Sequence, residues 1–198
     1  MKKEIGLIND ELNFCRQLFV RVAKIVPEFN IADPKLLPYG LKPHTRSISW
    51  IAEQIITQQA KHNSQNLNIN DVDIDLPDTA LHDCIVHAAG KSYYVNVKIH
   101  NSEGKKNKND ISAVQKVYSQ YNAKPDYRLI YVCFPVKFNN TLISIIGEGI
   151  HVFSPQFLPV YVNPRNDKIQ AFYHHEPVMR SRKEFLSELV KASKSIIL

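Results

Sequence analysis

The chain has 198 residues, of which 44% are hydrophobic and 22% charged. That length matches one domain, and the apolar fraction is large enough for a core, which excludes a mainly disordered chain. Lys and Arg number 25 against 19 Asp and Glu, a formal net charge of +6 and a sequence pI of about 9.1, a surplus that permits a polyanionic partner without requiring one.

No apolar run approaches the ~20 residues that cross a bilayer, so no membrane role is expected. The start Met1-Lys2-Lys3-Glu4-Ile5-Gly6 carries positive charge but no long apolar stretch follows, so no signal peptide is expected. Cys15, Cys84 and Cys133 are widely separated, with no CxxC pair. They make neither a disulfide framework nor a zinc knuckle, and a cytoplasmic location is the expectation. There is no internal repeat.

Ile8, Leu12, Cys15, Phe19, Val22 and Val26 recur at helical spacing over residues 8–26, and Pro27 ends the pattern. Residues 27–46, with Pro27, Pro34, Pro38 and Pro43, read as an extended connection. Ser47 opens a second helix with Ile48, Ile51, Ala52 and Ile55 on one face and Trp50 and Glu53 off it. Lys61 to Asn70 reads as an Asn-rich surface loop, followed by an acidic segment with Asp71, Asp73, Asp75, Asp78 and Asp83.

The period then changes to that of strands. Cys84–Ala88, the turn Ala89-Gly90-Lys91 and Ser92–His100 form a predicted β-hairpin. A basic loop, 103–108, leads to a helix capped by Asn109 or Asp110, with Ile111, Val114, Val117, Tyr118 and Tyr121 on one face. The apolar run Tyr127–Phe134 suits a buried central strand. Shorter strands are expected at 142–146, 150–153 and 169–173, and a last helix opens with the capping box Ser181…Glu184. The pattern is α/β or α+β: a central mixed β-sheet with one crossover helix, flanked by helices.

The chemistry concentrates on the hairpin. Asn96 and Lys98 alternate onto one side of the second strand, and the hairpin brings Asp83 beside them. A carboxylate, an amide oxygen and an amine suit a phosphodiester. A hard cation such as Mg²⁺ takes oxygen ligands, often one or two carboxylates plus phosphate and water. Asp83, the Asn96 side-chain oxygen and the Val97 backbone carbonyl are the candidate ligands, and Lys98 the candidate group to hold water and stabilise phosphate charge. The residue types alone fit an ordinary Asp83–Lys98 ion pair about equally well. Pro77-Asp78 is a second candidate acid, five residues short of the hairpin.

Asp83–hairpin–Asn96-x-Lys98 resembles the PD-(D/E)xK nuclease motif, with Asn96 in place of the second acid. The order of the basic loop after Lys98, the segment Ile111-Ser112-Ala113, Tyr161-Val162-Asn163, Ile169-Gln170-Ala171-Phe172 and the C-terminal helix is similar to HincII-type type II restriction endonucleases, over roughly residues 47–198. The resemblance implies a restriction-endonuclease-like core. The length reads as a single domain over 1–198, with an N-terminal helix and Pro-rich connection at 1–46, and the resemblance makes it a nuclease domain with its catalytic core at 47–198. The resemblance also implies Mg²⁺ (with Mn²⁺ able to substitute), double-stranded DNA as substrate, a homodimer, and a cognate DNA methyltransferase in the same system. The uncharged Asn96 implies weaker metal affinity than an acid would give.

Glu53 is a further metal candidate by this resemblance, against an exposed helical glutamate as the plainer reading. Lys105, Lys106, Asn107, Lys108 and Asn109 are candidate DNA contacts because they follow the catalytic strand; a solvated loop is the alternative. Tyr161 and Asn163 become candidate base contacts only by the resemblance, and Asn163-Pro164 would equally make a strand-end turn. His82, His87 and His100 lack zinc spacing, and His100 is a candidate phosphate contact. Four functions compete: a site-specific endonuclease, a structure-specific repair nuclease or junction resolvase, a DNA-binding protein with a decayed site, and a basic α/β protein that binds a protein partner.

Overall fold

The N-terminal stripe buries as its spacing predicts. In the computed structural model, which describes residues 2–39, 45–77, 79–103, 109–172 and 175–193, α1 (Lys2–Ile25) sets Ile8, Cys15, Phe19 and Val22 into the interior along with Leu18 and Ala23. The connection after Pro27 is not wholly extended. It holds a short edge strand, β1 (Glu28–Asn30), and a 3₁₀ turn at Pro34–Leu36 whose cap Asp33 accepts from the Lys35 N–H.

α2 (Thr45–His62) turns a different face inward than expected. Ile48, Ala52, Ile56 and Ala60, four residues apart, are buried, whereas Ile51 and Ile55 are only half-buried. The Asn-rich stretch is largely helical: α2 runs to His62, and α3 (Ser64–Leu67) closes on Asn68 in the left-handed region at φ 56°. The acidic segment opens with another edge strand, β2 (Asp71–Asp73).

The hairpin forms as read, with β3 (Cys84–Ala88) and β4 (Lys91–Asn101). The next segment departs from expectation. Residues 109–113 form a strand, β5 (Asn109–Ala113), and α4 (Val114–Ala123) starts only after it, with Ala113 and not Asn109 or Asp110 at its N-cap. The cause is non-local: β5 pairs with β10 (Lys168–Ala171), and that ladder takes the backbone groups a helix would have used. The remaining strands are β6 (Leu129–Asn139), β7 (Leu142–Ile145), β8 (His151–Phe153) and β9 (Tyr161–Asn163). α5 (Arg182–Ala192) carries the predicted capping box of Ser181 and Glu184.

Among the described residues the strands make a mixed sheet in the order β1-β7-β6-β4-β3-β2, with β8 also on β6, and a small sheet in the order β5-β10-β9. β4 and β6 are parallel, joined by the crossover through α4, and their neighbours are antiparallel. Alternation along β6 assigns the two faces. Ile130, Val132, Phe134 and Val136 pack toward α1 and α2, and Leu129, Tyr131 and Cys133 toward α4, α5 and the small sheet. Burial on both faces explains the nearly continuous apolar run of β6. β4 differs. Val95, Val97 and Ile99 fill the α1–α2 side, but the alternate positions include Asn96 and Lys98, polar groups in a central strand. Among the described residues, no helix is long and apolar enough to cross a membrane.

Candidate functional site

The site lies where β4 outruns β3. A two-residue turn, Ala89 at φ 49° and Gly90 at φ 74°, reverses the chain; both positive φ values match a type I′ hairpin. Pairing runs from Ala88↔Lys91 to Cys84↔Val95. Beyond Cys84 the Asp83 N–H still donates to the Val95 carbonyl at 2.9 Å, and then the ladder stops. The Val97 edge needs other partners, because buried backbone groups left unpaired are costly. Side chains provide them. The Val97 N–H donates to Asp83 Oδ2 at 2.7 Å, and Lys98 Nζ donates to the Val97 carbonyl at 2.8 Å. Asp83 thus stands in for the missing strand residue, and its carboxylate is held in place by the backbone.

α2 brings in the second acid. Glu53 Oε1 lies 3.1 Å from Lys98 Nζ, and Asp83 Oδ2 lies 3.4 Å from the same nitrogen. Glu53 is therefore not an exposed helical glutamate: its side chain is 13% exposed, against 27% for both Lys98 and Asp83. Lys98 has three donors, and the Val97 carbonyl, Glu53 and Asp83 are three acceptors for them.

Asn96 is buried, and its Nδ2 donates to the Leu81 carbonyl at 2.9 Å. Its Oδ1 is buried with no hydrogen-bond partner among the described residues. Native interiors seldom leave a polar atom so.

Burial is the main reason the Glu53 carboxyl is pushed up from its ordinary 4.5 to about 7; Lys98 opposes the shift and the Asp83 charge adds to it. His82, next to Asp83, is pushed down from 6.5 to about 4, by burial first and by Lys124 second, so it is neutral at pH 7. Its Nδ1 pairs with the Tyr127 hydroxyl at 3.2 Å.

The structure thus gathers Asp83, Lys98, Glu53 and the Val97 backbone into one cluster, with Asn96 on the same strand and tied to the bend that carries Asp83. Other candidates lie elsewhere. Tyr161 is in the small sheet, with its hydroxyl 3.2 Å from His175 Nδ1. Asn163 ends β9 and organises the next turn: its Oδ1 accepts from the Arg165 N–H at 3.0 Å and its carbonyl from the Asp167 N–H at 2.9 Å. Asn109 starts β5, opposite Ala171. Lys105, Lys106, Asn107, Lys108 and Asp78 lie outside the described residues. His87 of β3 pairs with Asp73 of β2 at 2.8 Å and with Ser92 of β4 at 3.1 Å, and the His100 ring stands 6.1 Å from that of His151.

Sequence reasoning named Glu53 and Asp83 singly but passed over the adjoining cleft that they help to line. About 210 Å³ in volume, it is bounded by Trp50, Glu53 and Gln54 of α2 and by residues of the 74–83 connection. A usable signal was there: Trp50, Glu53 and Gln54 stand at i, i+3 and i+4 on one helix face.

No protein-family model matches the chain, and no curated protein sequence matches it. Among solved structures it is similar to NlaIV restriction endonuclease, with a TM-score of 0.51 and 12% identity over 75% of this chain and 65% of that one. This is a restriction-endonuclease-like fold. The match spans less than two thirds of that protein, and at this identity it concerns architecture alone. In this restriction-endonuclease-like sheet, the acids and Lys98 meet because β4 is long, β3 is short and α2 reaches the part of β4 that β3 leaves unpaired.

Proposed function

We propose that the chain is a type II restriction endonuclease: a Mg²⁺-dependent, site-specific hydrolase of phosphodiester bonds in double-stranded DNA that leaves 5′-phosphates. The observation that carries this reading is the convergence of Glu53 and Asp83 on Lys98 at the open edge of β4. A structural ion pair needs one acid for one lysine. Here two carboxylates share one ammonium, so with both acids ionised the cluster is short of one positive charge.

A divalent cation fits that deficit. Asp83 and Glu53 offer carboxylate oxygens, and Asn96 Oδ1 is an acceptor still lacking a donor. Among the described residues no group of three or more His, Cys, Asp or Glu side chains is placed around a common metal position. An oxygen-only set with one or two carboxylates is what Mg²⁺ uses when phosphate and water complete its shell. When bound, Mg²⁺ supplies positive charge against the phosphate oxygens and makes water a better nucleophile.

The side chains would do the rest. Lys98 holds charge against a non-bridging phosphate oxygen. Its 3.4 Å contact to Asp83 is the longest of the three and the easiest to release for this. Asp83 keeps its position through the Val97 N–H during that exchange. Water adds to phosphorus, the P–O3′ bond breaks, and the 3′-oxygen leaves with a proton. The basic stretch 105–108 would track the backbone. A homodimer would match a two-fold site, with a separate methyltransferase protecting host DNA and Mn²⁺ able to replace Mg²⁺.

The test is digestion of unmethylated genomic DNA by the purified chain with Mg²⁺. Discrete fragments that disappear with EDTA or in Lys98→Ala support the proposal. Absence of cleavage across Mg²⁺ and Mn²⁺ concentrations sinks it. Cleavage governed by branches rather than sequence assigns the site to a structure-specific nuclease. Salt-sensitive binding without cleavage assigns it to a DNA-binding protein.

A further inference from the structure

The cleft beside the carboxylates has a lining of two kinds. Glu53 and Asp83 are the charged part; Trp50, Ile74, Leu76 and Pro77 are the apolar part. Trp50 is 68% exposed, an indole left largely in water beside a charged cluster. Single exposed apolar residues are common and need no explanation. This one shares a cleft with Glu53 and Asp83 and lies one helical turn from Glu53 on α2.

A nucleotide has the same two-part character. Its phosphate belongs with the cation, Lys98 and the carboxylates, and its base is a flat apolar face one sugar away. Indole stacks on any base, because every base has a π face. In an intact duplex those faces are covered by neighbouring bases, so an indole reaches one only where the stack is open. Resting on the nuclease reading above, we propose that this cleft takes the nucleobase adjoining the scissile phosphate and stacks it on Trp50, so that a bound duplex gives up that base from its stack and an unpaired base enters most readily. The substrate class is then narrower than duplex DNA in general: a phosphodiester next to a base that can leave its stack.

Trp50 is the chain's single tryptophan, so intrinsic fluorescence reports on this position alone. The full chain is titrated, with Ca²⁺ in place of Mg²⁺, with three DNAs of one sequence: a single strand, a fully paired duplex and a duplex with a central mismatch. Binding is followed independently by anisotropy of labelled DNA. Quenching at saturation by the single strand and the mismatched duplex is expected. Trp50→Ala should weaken binding of those two by about 5- to 150-fold, the range for loss of one base–aromatic stack, whereas Trp50→Phe should keep most of the affinity. Both substitutions fall on an exposed side chain, and unchanged melting temperatures check that the fold is kept.

Saturation with unchanged emission, or equal affinity of Trp50→Ala and the unaltered chain for all three DNAs, overturns the proposal. So does a change of oligomeric state in Trp50→Ala with DNA affinity intact, which would make Trp50 a contact between copies. Cleavage with Mg²⁺ is scored separately. Cleavage with a silent Trp50 overturns the stacking alone, and neither binding nor cleavage by the unaltered chain overturns the nuclease reading with it.

Discussion

Lys98 Nζ lies 3.1 Å from Glu53 Oε1, so a helix and a central strand from distant parts of the chain meet through one ammonium group. Because that ammonium also serves Asp83 and the Val97 carbonyl, its removal undoes the cluster as a unit. Lys98→Ala is expected to lower kcat for DNA cleavage by about 10²–10³, the cost of removing one charge-stabilising donor. DNA affinity should change far less. Lys98→Arg should not restore the rate, since the donors of a guanidinium lie in one plane and cannot converge on three acceptors grouped around a single nitrogen. Cleavage assays and anisotropy titrations on the same preparations separate the two effects.

Asn96 gives a prediction with two opposed parts. Asn96→Asp supplies the missing second acid, so half-maximal cleavage should need less Mg²⁺. The same change removes the Nδ2 donor to the Leu81 carbonyl and sets a carboxylate against that oxygen. Leaving a buried acceptor unpaired costs about 1–3 kcal/mol, so the metal-free variant should melt at a lower temperature. Added Mg²⁺ should recover much of that loss, because a ligand bound only by the folded state stabilises it. If Asn96→Asp changes neither the Mg²⁺ requirement nor the metal-free melting temperature, Asn96 does not take part in the site.

Local patterns in the chain carried much of this site. The β3–β4 hairpin, the apolar run of β6 and the Ser181–Glu184 capping box are set by neighbours within a few residues, and each forms, although β6 spans Leu129–Asn139 where Tyr127–Phe134 is read. The misreadings are non-local. β1 and β2 are three-residue edge strands whose identity comes from β7 and β3. β5 resembles the start of a helix until its partner β10 is known. Glu53 looked exposed because the inward face of α2 was read as Ile48, Ile51, Ala52 and Ile55. The true face, Ile48-Ala52-Ile56-Ala60, turns Glu53 toward the edge of β4. With the stripe inferred that way, Glu53 is a metal candidate by the resemblance alone and not by its place on the helix.

The two shifted groups at the site predict opposite pH slopes. Glu53 titrates at about 7 in the folded protein against an ordinary 4.5. The folded state therefore holds this proton more tightly, and the associated stability is full below 4.5 and is lost as pH rises through about 7. His82 is the reverse: folded at about 4 against 6.5, its contribution is full above 6.5 and is lost as pH falls through about 4. Each is of the order of 3 kcal/mol. In the metal-free protein the two slopes offset each other between these limits. Glu53→Gln should expose the acid-side loss, and His82→Asn the loss on the neutral side. Urea unfolding at several pH values reads both, and parallel profiles for the two variants would contradict the assignment.

Glu11 and Arg128 tie α1 to the start of the parallel pair. Arg128 Nε and Nη2 donate to the two Glu11 carboxylate oxygens, each at 2.6 Å. This is a bidentate pair, among the strongest side-chain contacts. The partners are not equally buried: the Glu11 side chain is 7% exposed and that of Arg128 22%. Removing one partner of such a pair costs about 3–5 kcal/mol, mostly from the charge left behind. Arg128→Met strands the more buried group, so it should destabilise more than Glu11→Leu, where Arg128 keeps some access to water. The double replacement should lie near the unaltered chain or above it, because two apolar side chains avoid the desolvation of both charges. A double-mutant cycle in urea at neutral pH measures the coupling. Equal and additive losses would mean that the contact ties the two elements by shape rather than by charge. In either case the site on β4 should keep its cleavage rate per folded molecule, since none of its groups touches this pair.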